Sequence, residues 1–258
     1  MGNVINSIDN IITSQANNGE WPVFIFGRSV SSTTAALTTC GYTSIQKLEN
    51  TFRMMPSFGT GVTGALLTSI YTNISTATRQ MVCGIEYELA TIDMNTGTAS
   101  FAETMPNKTI LGDTVQTASL FTLMVVTSAV TATTPTMSIT YVNQNGDTGR
   151  TASLVLPTSP TVRSCFQINP HLQSGDTGIR SVTGLTKSAG TAGTIKIYGI
   201  LPLAIANCST TSFTSSVGLF NTNLPKYPIA TSENIGFYLI NTTTTCSLLI
   251  KMGFTGDN

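Results

Sequence analysis

From Arg79 onward the chain is written in a period of two. Met81, Cys83, Ile85, Tyr87 and Leu89 alternate with Gln80, Val82, Gly84, Glu86 and Glu88. Successive side chains of an extended backbone point to opposite faces, so this spacing predicts a strand with one buried face. The turn signal Asp93-Met94-Asn95-Thr96-Gly97 leads into a second extended stretch through Phe101, as in a hairpin. The same grammar recurs at Met137, Ile139 and Tyr141, which pass through Asn145-Gly146-Asp147 to a return strand with Ala152, Leu154 and Leu156. It recurs again where Ile179 to Leu185 and Ile195 to Ile200 flank Ala189-Gly190-Thr191-Ala192-Gly193. Last, Ile235 to Ile240 is joined through four threonines to Cys246, Leu248, Ile250, Met252 and Phe254. Leu120 to Val126 is a continuous apolar run, suited to a strand buried on both sides.

Strands separated by Gly-, Asn- and Thr-rich turns predict an all-β fold, an antiparallel β-sandwich or jelly roll. Trp21 to Phe26 adds a strand ahead of the alternating region. One or two short helices are expected before residue 80, in the pieces Ile45 to Met54 and Ala65 to Ile74, split by Pro56 and several glycines. Val4, Ile5, Ile8, Ile11 and Ile12 share one face at helical spacing and predict a short amphipathic arm. The expected organisation is an arm over 1–20 followed by a sandwich domain over 21–258, with the arm's apolar face available to a neighbouring subunit.

Charge narrows the function. Only 9% of the residues are charged, against a usual ~25%, and twelve basic residues cancel twelve acidic ones. So neutral a surface gains by burial against other protein, and little repulsion keeps copies apart. A homo-oligomer, such as a trimer, is expected. With no basic stripe there is no source of counterion-release affinity, so direct nucleic-acid binding is not expected. The apolar run Ile195 to Ala206 contains Lys196 and Pro202 and falls short of the roughly 20 residues that span a bilayer, so no membrane partner is expected either. The first twenty residues carry no basic and apolar regions of a signal peptide, which points to synthesis in the cytoplasm. The five cysteines are scattered with no C-x-x-C pair, against a zinc site or a disulfide framework.

Motifs of catalysis are present only as fragments. Gly59-Thr60-Gly61-Val62-Thr63-Gly64 has the letters of a dinucleotide loop but follows Met54-Met55-Pro56-Ser57 instead of a strand. Asp147-Thr148-Gly149 and Asp176-Thr177-Gly178 repeat the Asp-Thr-Gly of aspartic proteases. Both sit in polar turns about 30 residues apart, where an Asp is expected to bond its own backbone. His171, the single histidine, follows Asn169-Pro170 in a loop, and no nucleophile elbow accompanies it. No catalytic, cofactor-binding or metal-binding residues are assigned, and no enzyme activity is expected. In so charge-poor a chain Arg150 and Arg180, each just after an Asp-Thr-Gly turn, are candidate contact residues. An intramolecular bond to Asp147 or Asp176 is the competing role.

The segment SITYVNQNGDTGRTASLVLP, continued by INPHLQSGDTGIRSV between Ser138 and Val182, resembles Thr-rich virion structural proteins of tailed bacteriophages. In these, a TY-NQ-G--GRT hairpin is followed by an LQ-GD-G-RSV strand. The likeness covers roughly a fifth of the chain. It implies a non-enzymatic component of the virion, such as a capsid decoration, cement or minor capsid protein bound to the major capsid protein. Alternatives are a tail- or fibre-associated protein or a carbohydrate-binding adhesin. The adhesin is disfavoured by the single tryptophan, Trp21, which lies in an apolar run.

Overall fold

The computed structural model describes residues 21–29, 45–47, 52–53, 64–74, 79–110, 113–119, 121–208, 217–218, 227–230, 233–240 and 246–256. The arm at Val4 to Ile12 and most of the glycine motif at 59–64 lie outside them. The first strands are β1 (Trp21–Ser29), β2 (Ile45–Lys47), β3 (Phe52–Arg53), β4 (Gly64–Ile74), β5 (Arg79–Asp93) and β6 (Ala99–Phe101). Then come β7 (Asn107–Ile110), β8 (Asp113–Gln116), β9 (Phe121–Thr131), β10 (Thr136–Asn143), β11 (Arg150–Val155) and β12 (Ser164–Gln167). The last are β13 (Ile179–Lys187), β14 (Ala192–Cys208), β15 (Val217–Gly218), β16 (Ile229–Ala230), β17 (Asn234–Ile240) and β18 (Cys246–Gly256). The one helical turn among the described residues is the 3-10 turn Asn169–His171. Over the described residues the protein is all-β, and its strand pairs are antiparallel.

Six strands form a ring. β5 pairs with β14, β14 with β9, β9 with β12, β12 with β2, β2 with β17, and β17 returns to the free edge of β5. Closure pairs each ring strand on both sides over part of its length, and the short β3 and β6 hang from β17 and β5 as edge strands. Val82, Phe121, Leu123, Val125, Cys165, Ile200 and Tyr238 come from five of the ring strands and form a separate small cluster with Tyr198 packed on it. Such a set, shared by strands around the whole ring and cut off from the other sheets, is the ring's interior. The opposite set, including Met81, Cys83, Ile85, Met124, Phe166, Ile197 and Phe237, belongs to the main core. That core also holds Met137, Ile139, Tyr141 and Leu154 of a three-stranded sheet in the order β11-β10-β13, and Leu67 and Ile70 of a sheet running β1-β18-β4-β15.

This architecture corrects several expectations. β5 buries both faces from Met81 to Tyr87, not one, because its polar-looking positions turn into the ring. Ile45 to Met54 holds the short strands β2 and β3, and Ala65 to Ile74 belongs to β4, paired along β18. Thr68, Ile70, Thr72 and Ile74 are β-branched at alternate positions, so a strand was available to the same residues, and β18 supplied the ladder that selected it. The hairpins at 93–101 and 137–156 form as expected. The other two do not: β13 pairs with β10 while β14 enters the ring, and β17 lies in the ring while β18 joins β4 and β1. Each Gly- or Thr-rich connection there passes the chain from one sheet to another.

Inside the ring Tyr238 donates its hydroxyl to Glu86 Oε1, and both side chains are buried. Burial, then the Glu86 charge, raises the Tyr238 pKa far above its usual value and keeps it a donor. The Glu86 side chain lies against Gly236 of β17, where any Cβ would overlap its carboxylate. Gly236→Ala should therefore displace Glu86 from Tyr238 and destabilise by about 1–3 kcal/mol. Urea unfolding should show the loss as a lower midpoint at unchanged slope.

Candidate functional site

The two Asp-Thr-Gly turns, far apart in the sequence pattern, meet in space. The turn after β10 is built by Asn143, whose Oδ1 accepts from the backbone N–H groups of Asn145 at 3.0 Å and Asp147 at 2.9 Å. Gly146 and Gly149 hold φ of 90° and 70° there, a region that side chains other than glycine's adopt at a cost. The Asn143 amide then donates outward, to Asp147 Oδ2 at 3.0 Å and to Asp176 Oδ1 at 2.8 Å in the second turn. Every bonding group of this buried amide is used.

Asp176 is the centre of the arrangement. Arg150, the first residue of β11, grips it with two parallel bonds, Nε to Oδ2 at 2.8 Å and Nη2 to Oδ1 at 3.1 Å. Tyr141, fully buried on β10, donates its hydroxyl to Asp176 Oδ2 at 2.6 Å and accepts from the Gln173 backbone N–H at 3.0 Å. Gln144 closes the other side: its Oε1 accepts from the N–H groups of Thr177 and Gly178, and its Nε2 donates to the Gly175 carbonyl. The Arg150 guanidinium above all, with the Tyr141 and Asn143 donors, holds the Asp176 pKa down to about 2. Beyond it, Gly178 is pressed against the Ser119 carbonyl, with 2.7 Å left for a Cβ. The Ser119 hydroxyl in turn accepts from the Ile200 N–H of the ring wall. The two turns and the ring are thus one braced unit.

Residues flagged in the sequence are sorted by this geometry. Asp147 and Asp176 do not bond their own backbone two residues on, as expected of them: Asn143 takes that part, and the two aspartates accept across the turns instead. Arg150 is withdrawn into the clasp, with 29% of its side chain exposed. Arg180 is half-buried with its guanidinium near Gly146, and its backbone carbonyl accepts from Met105. His171 closes the 3-10 turn, half-buried, and burial lowers its pKa. Val4, Ile5, Ile8, Ile11 and Ile12 lie outside the described residues.

A second polar cluster escaped the sequence reading. Glu233, just before β17, accepts from the Tyr87 hydroxyl, from Lys108 Nζ and, at 2.8 Å, from the Ala230 N–H. Lys108 also donates to the Pro228 carbonyl at 3.0 Å. Burial and the Glu233 charge raise the Tyr87 pKa, so it stays protonated. Tyr87 and Glu233, with Glu86, Glu103, Thr104, Pro106 and Asn234, border an open cleft of about 370 Å³. The partners of Tyr87 and Lys108 lie 120 or more residues away in sequence, beyond the reach of any local pattern. Among the described residues no three His, Cys, Asp or Glu are grouped to hold a metal ion. Comparisons with protein-family models, with curated proteins and with solved structures find no match for this chain.

Asp176→Asn should cost about 1–3 kcal/mol, since it leaves Arg150 and Tyr141 facing a neutral amide. Because the folded-state pKa is depressed below the ordinary carboxylate value, the Asp176 contribution is complete above about pH 4 and disappears as pH falls toward about 2. The wild type should lose its stability advantage over the Asn variant across that window, measured by urea midpoints at a series of pH values.

Proposed function

We propose that this chain is a non-enzymatic structural subunit of a bacteriophage particle, a capsid decoration, cement or minor capsid protein that docks on the major capsid protein lattice. The observation that carries the proposal is the fate of the residues behind the resemblance. Tyr141, Asn143, Gln144, Arg150, Gln173 and Asp176 are among the letters of the two virion-like motifs, and they bond the two turns together. What the likeness transmits is a rigid brace, as a load-carrying part requires.

The surface supports the same reading. The outward face of the β11-β10-β13 sheet presents Ser138, Thr151, Ser153, Thr183 and Thr186, all exposed and uncharged. Such a face meets another protein through hydroxyls and water without desolvating charge. The sandwich or jelly-roll arrangement belongs to the proposal as well, supported by the single core that the three-stranded sheet shares with the outer wall of the ring. In this reading the protein resides in the virion, associates with itself and with virion proteins, and needs no cofactor. A tail- or fibre-associated position is the runner-up, on the same resemblance.

The full-length protein should sediment as an oligomer or co-sediment with purified particles. The contact should survive ~0.5 M salt, where the Debye length shrinks to about 4 Å. Removal of residues 1–12 should weaken it if the arm docks on a neighbour. A monomer at low and high salt that also fails to bind particles overturns the proposal. Electron cryo-microscopy of the particle assigns head or tail.

A further inference from the structure

We propose that β11 is a self-pairing edge, through which two copies of this chain join their three-stranded sheets antiparallel about a two-fold axis at Ser153. The inference rests on the reading of the chain as a self-associating subunit and names the surface that does it. Among the described residues β11 pairs with β10 alone, and beside it lies the 3-10 turn Asn169–His171, so no described strand takes its second edge. The register decides which groups that edge offers. Leu156 N–H donates to the Pro135 carbonyl at 2.9 Å, continuing the pairing of Val155 with Thr136 and Leu154 with Met137. In an antiparallel ladder alternate residues point their N–H and C=O the same way, so Ala152 and Leu154 also face β10. Thr151, Ser153 and Val155 therefore aim their backbone donors and acceptors away from the molecule, and all three are exposed, Val155 to 55%.

Natural sheets guard such edges with charge, proline or a bulge. The other edge of this sheet has those guards: β13 carries Arg180 and Lys187, its pairing with β10 is interrupted by two register shifts, and it packs on β5 and β6. β11 has none within Thr151 to Val155. Its one charge, Arg150, is turned back onto Asp176 by the clasp. Gln173 Nε2 anchors the strand's near end by donating to the Thr151 hydroxyl at 2.9 Å.

A second copy is the occupant that fits. Centred on Ser153, the strand sets Ser153 against Ser153, Thr151 against Val155 and Ala152 against Leu154, small against large on the core side. No charge opposes another, in a chain whose net charge is zero. The outward groups of the three residues would make about six hydrogen bonds, two for each of three pairs. A strand of this length spans ~20 Å, below the area of a standard stable interface. The pairing is accordingly a weak contact, concentration-dependent in solution and reinforced where many copies sit side by side.

Ser153→Pro and Ser153→Cys test it in the full-length protein. Proline at 153 removes an outward N–H that β10 does not use, so circular dichroism and the urea midpoint of the monomer should be retained. Sedimentation over a range of concentrations should show self-association weakened at least tenfold. Cysteine at 153 faces its own copy at a Cα separation of about 5.5 Å, inside the range a disulfide bridges. Mild oxidation should give a dimer whose linked peptides both contain residue 153. Self-association of a folded Ser153→Pro variant as tight as wild type, or the absence of a 153–153 disulfide, overturns the inference. Particle binding by these variants is scored separately: if they bind while the edge tests fail, the subunit reading stands without this edge, and wild type that binds nothing sinks the subunit reading whatever the disulfide shows.

Discussion

The constraint on which the structure depends is the double use of β5. One edge is laddered to β14 from Asp93 back to Arg79, and the other to β17 from Gln80 to Glu86. A strand bonded on both sides and buried on both faces over Met81 to Tyr87 has little surface left to offer water. Its two polar intrusions are therefore the expensive ones, and each is matched. Glu86 is met by Tyr238 inside the ring, and the Tyr87 hydroxyl is taken by Glu233 outside it. The space for Glu86 is made by a residue with no side chain, Gly236. The ring thus buries the Glu86 carboxylate where a partner strand has been shaped around it.

The clasp at Asp176 solves a different problem. The β11-β10-β13 sheet is small, and three strands hold a register weakly unless one face is buried or the turns are pinned. Here both apply, with Met137, Ile139 and Tyr141 packed in the core and the turns tied by Arg150, Asn143 and Gln144. Tyr141 joins the two devices, since its ring belongs to the core and its hydroxyl belongs to the clasp. A mixed polar and apolar residue at that one position makes the turn geometry and the sheet packing a single decision.

Much of the fold was legible because period two and turn chemistry are local. The alternation from Met81 to Leu89, the hairpin at Asn145-Gly146 and the doubly buried run into Val126 could be read without tertiary information. Ring closure could not, because it depends on Ile235 to Ile240 finding β5 and not the nearer β18. The strand at Ala65 to Ile74 was misread for the same reason: its residues fit helix or strand, and a partner in the last part of the chain decided. At the clasp, Arg150, Asp147 and Asp176 stood out by being charged in a neutral chain, whereas Asn143, Gln144 and Gln173 carried no such signal. Lys108 and Glu233 were invisible because nothing in their neighbourhoods announces the other.

The distances along the chain also set an order of events. The bonds of the clasp join residues 26 to 35 apart, whereas the contact of Tyr238 with Glu86 spans 152. Loop-closure entropy favours the short connections first, so the three-stranded unit is the natural nucleus and the ring is sealed late. During synthesis β5 emerges long before both β14 and β17, and its Gln80–Glu86 edge stays unpaired until β17 arrives. For that interval the nascent chain is most exposed to misassociation, and its safe passage depends on how quickly residues 234–240 follow and dock.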